Sequence, residues 1–170
     1  MFDTHVNLHG DAFADDLEDV LQRARTVGVR RFLAICDRFD NFDAVHAIAA
    51  ANKDIWCSVG LPLILHTREA DDMMGDILEA EYTKGAFQPL LHCYTGGARL
   101  AQRGLALGAY VSVSGILSFK SASEVRDVIA DIPMERIILE TDCPYLAPMP
   151  MRGRRNEPAF LVHVAEALAR

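Results

Sequence analysis

Four residues of metal-ligating type stand where short apolar runs end: His5 near the start, His66 after Leu63-Ile64-Leu65, His92 after Leu90-Leu91, and Asp142 after Ile138-Leu139. In parallel sheets and barrels the functional groups gather at the carboxyl ends of the strands, so parallel strands would bring all four side chains to one face. One histidine so placed reads as a structural residue; four such residues together read as ligands. Imidazole with carboxylate suits zinc, manganese, iron or nickel. Asn7 lies two residues after His5 and points to the same side of an extended segment. Its carboxamide oxygen is a hard neutral donor that tilts preference toward magnesium or manganese, the alternative being an Asx turn that leaves the strand. Asp142 is both a candidate ligand and a candidate general base, and Pro144 forces the chain out of the sheet just beyond it.

Other residues near these positions have side chains suited to an anionic substrate. Arg152-Gly153-Arg154-Arg155-Asn156 is the one tight basic cluster, and guanidinium forks match phosphate oxygens. A solvated surface loop is the alternative there. Arg68, two residues past His66, invites the same pair of readings, and Tyr94, two past His92, could stack on a base or wall a pocket. His9, His46 and His163 have no strand-end placement and read as exposed or packing residues.

Apolar periodicity supplies the elements that must position these groups. The pattern predicts strands over 1–5, 31–36, 55–59, 61–66, 87–92 and 109–113, and a buried one through Ile137-Ile138-Leu139. Helices are expected from Asp15 and Asp16 to Gly28, along Phe42, Val45 and Ala49, over 70–84, 98–107 and 121–131, and after Glu157 with Leu161, Val164 and Leu168 inward. Strand and helix alternate except at Gly60-Leu61, where two strands abut. Alternation favours a parallel sheet with helices outside it. A complete (β/α)₈ barrel takes about 250 residues, so seven strands in 170 residues fit a TIM barrel that lacks one βα unit at that junction. An intact doubly wound sheet is the alternative, but Asp3-Thr4-His5-Val6-Asn7 is no glycine-rich phosphate loop. One domain is expected over 1–170, with an apparent gap at 60/61.

With 51% apolar residues the chain suits a soluble globular protein, and its apolar runs fall far short of the ~20 residues that cross a bilayer. Neither membrane association nor export is expected. Cys36, Cys57, Cys93 and Cys143 form no CxxC pair and read as small buried hydrophobes in a reducing cytoplasm. A net charge of −7 argues against a general nucleic-acid surface, so a polyanion would need cations or the local arginines.

Taken in order, Phe2-Asp3-Thr4-His5, His66-Thr67-Arg68-Glu69-Ala70, Leu91-His92-Cys93-Tyr94-Thr95-Gly96, Ser114-Gly115-Ile116, Glu140-Thr141-Asp142-Cys143-Pro144-Tyr145-Leu146 and Arg152-Gly153-Arg154-Arg155-Asn156-Glu157-Pro158 resemble the TatD family of metal-dependent deoxyribonucleases. The resemblance implies a TIM barrel and two divalent cations (magnesium, manganese or zinc). It also implies exonucleolytic phosphodiester hydrolysis with DNA as substrate in the cytoplasm, and no obligate protein partner. Position by position it makes His5, His66, His92 and Asp142 metal ligands. Asn7 replaces the second histidine of the family's opening HxH. At Gly60-Leu61 the resemblance implies an absent histidine-bearing loop, a helix and a strand ending in a glutamate that bridges the metals, and the chain stops in its final helix, short of the family's usual end. Two alternatives stand beside the deoxyribonuclease: a hydrolase of another ester or amide, such as an aminoacyl-tRNA ester, and a catalytically silent binding protein on the same scaffold.

Overall fold

The computed structural model describes residues 1–36, 38–58 and 63–170. The Gly60-Leu61 junction therefore lies outside the described residues. Among the described residues strands and helices alternate, except that β4 follows β3: β1 (Phe2–Val6), α1 (Leu17–Thr26), β2 (Arg31–Ile35), α2 (Phe42–Ala51), β3 (Ile55–Ser58), β4 (Leu63–Leu65), α3 (Asp71–Tyr82), β5 (Pro89–Leu91), α4 (Ala98–Ala106), β6 (Tyr110–Val113), α5 (Ser123–Ala130), β7 (Ile137–Leu139) and α6 (Leu161–Leu168). Among the described residues no helix is long and apolar enough to cross a membrane.

Contacts divide the chain into two compact units. The first comprises Met1–Val59, Ser114–Phe119 and Leu139–Arg170. Its sheet has the order β1-β2-β3 with parallel pairing throughout, and Phe32, Ala34 and Ile35 stand opposite Ile55, Cys57 and Ser58. Val20, Leu21 and Ala24 of α1 are buried, as are Phe32 and Val45, so the apolar stripes that define the helices also build the core of this unit. Asp16 occupies the position before α1, but its carboxylate makes no cap bond. Arg155 takes that carboxylate instead, with a 2.8 Å bond from Nη1 to Oδ1. The register of β1 on β2 slips between Asp3 and Val6, which places a bulge at Thr4 and His5.

The second unit comprises Gly60–Val113 and Lys120–Ile138. Its sheet has the order β4-β5-β6-β7, parallel from β4 to β6. Leu90, Leu91, Val111 and Val113 are buried there, together with Leu78 of α3 and Leu100 of α4. α3 and α4 are fastened by Arg103, whose guanidinium reaches Glu79 and Asp76 at 2.7 Å. The buried strand expected through Ile137-Ile138-Leu139 is half-buried along its length. It ends the strand order of its sheet.

Candidate metal centre

In the first unit the chain that follows β7 runs parallel to β1. Val6 pairs with Cys143, the Asp142 N–H donates to the His5 carbonyl at 3.0 Å, and the Asn7 N–H donates to the Cys143 carbonyl at 3.0 Å. This ladder brings the two predicted ligands together: His5 Nε2 lies 3.6 Å from Asp142 Oδ1, with both side chains largely buried. Asn7 stands beside them, its side-chain amide donating to the same Cys143 carbonyl at 3.1 Å. That bond orients the carboxamide and leaves its oxygen as an acceptor.

Glu140 is a further acidic group at this site, one that the sequence pattern does not single out. It is fully buried, and a carboxylate oxygen of it lies within 4.8 Å of a His5 ring nitrogen. The signal was its place directly after an apolar run, where burying a carboxylate is costly unless something compensates it. Asp3 is a second fully buried carboxylate. It accepts from the Thr141 N–H at 2.9 Å and the Thr141 hydroxyl at 2.6 Å. Burial pushes its pKa up to about 8, against the Thr141 donors and with help from the neighbouring Glu140 charge. Burial likewise holds the Cys143 thiol well above its ordinary value, so it stays a thiol. Imidazole, carboxamide oxygen and carboxylates on one rim are the donor set a divalent cation takes, so these residues fit one.

In the second unit His66 follows β4 and His92 follows β5, and their ring centroids lie 5.8 Å apart. His92 is buried at 7% exposure, and its backbone N–H donates to the Leu65 carbonyl at 2.9 Å, so the parallel ladder reaches the predicted ligand itself. The backbone turns sharply just after His92 and at Asp142 itself. Cys93 has φ +46° and Asp142 itself φ +57°, in the left-handed region that residues with a Cβ seldom enter.

The predicted substrate contacts divide. Arg68, Arg152 and Arg154 are exposed. The Arg152 guanidinium lies 3.8 Å over the Phe119 ring. Tyr94 is only 3% exposed and its hydroxyl donates to the Gly97 carbonyl at 2.7 Å, so it walls the fold and offers no face for a base. Asn156 is expected from sequence among the substrate contacts. It is fully buried, and its carboxamide donates to the Thr141 and Tyr145 carbonyls. Of the remaining histidines, His163 pairs with Glu166 at 3.1 Å and His46 packs on Phe42.

The sequence profile described as TatD related DNase matches this chain in two stretches, residues 2–61 and 58–170. The chain belongs to the TatD-related DNase family. Within that family it is 27% identical over 230 residues to the Uncharacterized metal-dependent hydrolase YabD of Bacillus subtilis, an alignment that covers 99% of this chain and 90% of the relative. It is 35% identical over 172 residues to the 3'-5' ssDNA/RNA exonuclease TatD of Edwardsiella piscicida, covering 92% of this chain and 62% of that protein. Against several further curated relatives the match spans 40% of their length. The crystal structure of YjjV, a TatD homologue from Escherichia coli, superposes with a TM-score of 0.91 at 22% identity, over 99% of this chain and 89% of that one. The chain is mixed α/β with parallel pairing in both of its sheets, and the TatD structures that it resembles are TIM-barrel-like. The family's members are metal-dependent hydrolases.

Proposed function

We propose that this protein is a divalent-metal-dependent phosphodiesterase that trims single-stranded DNA from an end. The observation that carries the proposal is the 3.6 Å approach of His5 Nε2 to Asp142 Oδ1, residues from opposite ends of a chain of this family. Support for the substrate comes from the Edwardsiella relative, whose name assigns it single-stranded DNA and RNA. His5, Asn7 and Asp142, with Glu140 behind them, would hold one cation, and His66 with His92 another. Such cations would lower the pKa of a bound water and neutralise phosphate charge, which would answer the acidity of the chain as a whole. The Asp142 carboxylate takes the proton of the attacking water, and the exposed Arg152 and Arg154 meet the non-bridging oxygens of the phosphate backbone. The two-part family match, meeting at 58–61, supports the absence of a βα unit there.

The test is hydrolysis of a 5'-labelled single-stranded oligonucleotide by purified protein with magnesium, manganese or zinc. RNA of the same sequence and an aminoacyl ester are run in parallel. Shortening of the DNA that chelation abolishes is the expected result. Cleavage of the ester alone, or binding of DNA without cleavage under every metal, rejects it.

A further inference from the structure

Asp142 can present its carboxylate to His5 only while its backbone stays left-handed, at φ +57°, and two buried side chains hold the turn from opposite sides. On one side Asp3 binds the Thr141 N–H at 2.9 Å and the Thr141 hydroxyl at 2.6 Å. On the other, Asn156 donates one carboxamide group to the Thr141 carbonyl at 2.8 Å and to the Tyr145 carbonyl. Its Oδ1 accepts from the Glu157 N–H at 3.0 Å, and its own N–H donates to the Pro144 carbonyl at 3.0 Å. Three contacts from one residue thus close residues 141–145 into a fixed loop around Asp142, and the fourth, to Glu157, fixes the carboxamide itself.

We propose that Asn156 is a positioning residue for the metal centre: by bridging the Thr141 and Tyr145 carbonyls it holds Asp142 toward His5, and so sets cation affinity at that end. The inference rests on the cation-binding reading above. Asparagine suits the post because it offers two N–H donors and one acceptor on a short stem. Aspartate has the same shape but would turn oxygens toward both carbonyls. The neighbouring Arg154 projects to solvent and has no part in this clamp.

Asn156→Asp, Asn156→Ser and Arg154→Ala are compared with the unaltered full chain by manganese titration calorimetry, by amide hydrogen exchange at Asp142 and Tyr145, and by urea unfolding. Asn156→Asp is expected to weaken manganese binding at least tenfold and to speed exchange at both amides at least tenfold. Asn156→Ser, which can still donate to one carbonyl, is expected to fall between; it carries the test if Asn156→Asp does not fold. Arg154→Ala is expected to change neither quantity. A merely structural role would lower the urea midpoint and leave the manganese affinity of the folded fraction untouched. Folded variants at position 156 that keep that affinity within twofold, or that keep wild-type exchange at both amides, overturn the proposal. Unaltered protein that binds manganese but cleaves no nucleic acid removes the nuclease reading and leaves this one standing; unaltered protein that binds no manganese removes both.

Discussion

His5 Nε2 and Asp142 Oδ1 face each other across 3.6 Å. That separation is too long for a hydrogen bond, which for nitrogen and oxygen closes at 2.7–3.2 Å. It matches the gap between two donors that each sit about 2.0–2.2 Å from one ion. Replacing Asp142 by asparagine keeps the volume and a residue type that tolerates the left-handed backbone, while removing the charge. Asp142→Asn is therefore expected to lower metal-dependent hydrolysis by on the order of 10²-fold or more with the fold retained. Steady-state hydrolysis and circular dichroism measured on one preparation check this, and activity within a few-fold of wild type rejects the assignment.

The three clustered arginines are not equivalent. Arg155 is held by the Asp16 carboxylate and lies 4.9 Å over the Phe13 ring, and Arg152 lies over Phe119. Arg154 is exposed to solvent and is the one best placed to receive a phosphate. Arg154→Ala is expected to raise KM for single-stranded DNA about three- to tenfold at unchanged kcat. It should also reduce the slope of log K against log salt by about 0.7, the share of one contact to a single strand. Arg155→Ala should instead lower stability. If Arg154→Ala changed kcat alone, its place would be at the reacting bond.

Much of this was legible in the sequence because apolar periodicity and glycine placement report local structure directly. α1 ends just before Gly28, whose φ of +91° only glycine adopts freely, and α4 ends within one residue of its expected boundary. The candidate ligands could be placed because His66 and His92 directly follow β4 and β5, while His5 lies near the end of β1 and Asp142 three residues past β7. What sequence did not reveal was how polar groups are used inside the fold. Asn156, from its place in the basic cluster, reads as a substrate contact, and Tyr94, two past His92, as a base-stacking or wall residue, yet both spend their donors on backbone carbonyls. Asp16 has the composition of a helix cap, but a distant arginine outcompetes the helix for it. Glu140 belongs to an apolar strand's end, and only its burial reveals that it faces His5. No glycine or proline marks the bulge that carries His5.

Gly115 packs against the loop that follows Asp142. A Cβ built there would meet the Leu146 carbonyl oxygen at 2.0 Å and the Pro148 nitrogen at 3.0 Å, both backbone atoms that cannot rotate away. Gly115→Ala is thus expected to destabilise the protein by about 1–3 kcal/mol, the usual cost of overpacking. It should also lower activity by moving the Asp142 loop. Gly85, with nothing within 4 Å of an added Cβ, is the control, and Gly85→Ala should be close to neutral. Urea midpoints of the two variants decide it; equal midpoints would mean that the loop gives way at no cost.

Arg25 binds Asp54 through two bonds of 2.8 and 2.9 Å, joining α1 to the turn before β3. The side-chain hydrogen bond from Arg25, outweighing partial burial, holds the Asp54 carboxyl below its ordinary value of 3.8. Because the folded state gives up this proton more readily than the unfolded chain, the pair's contribution is complete above the ordinary value. It drains away as the pH falls through the lower folded value. Asp54→Asn should accordingly be less stable than wild type at pH 7, by up to about 1 kcal/mol for a partly exposed pair. The two proteins should converge as the medium is acidified below pH 4. Unfolding free energies of both, measured from pH 7 to pH 2.5, give the difference directly. A gap that stays constant across that range would mean that Asp54 acts through its shape and backbone bonds, with the Arg25 charge irrelevant.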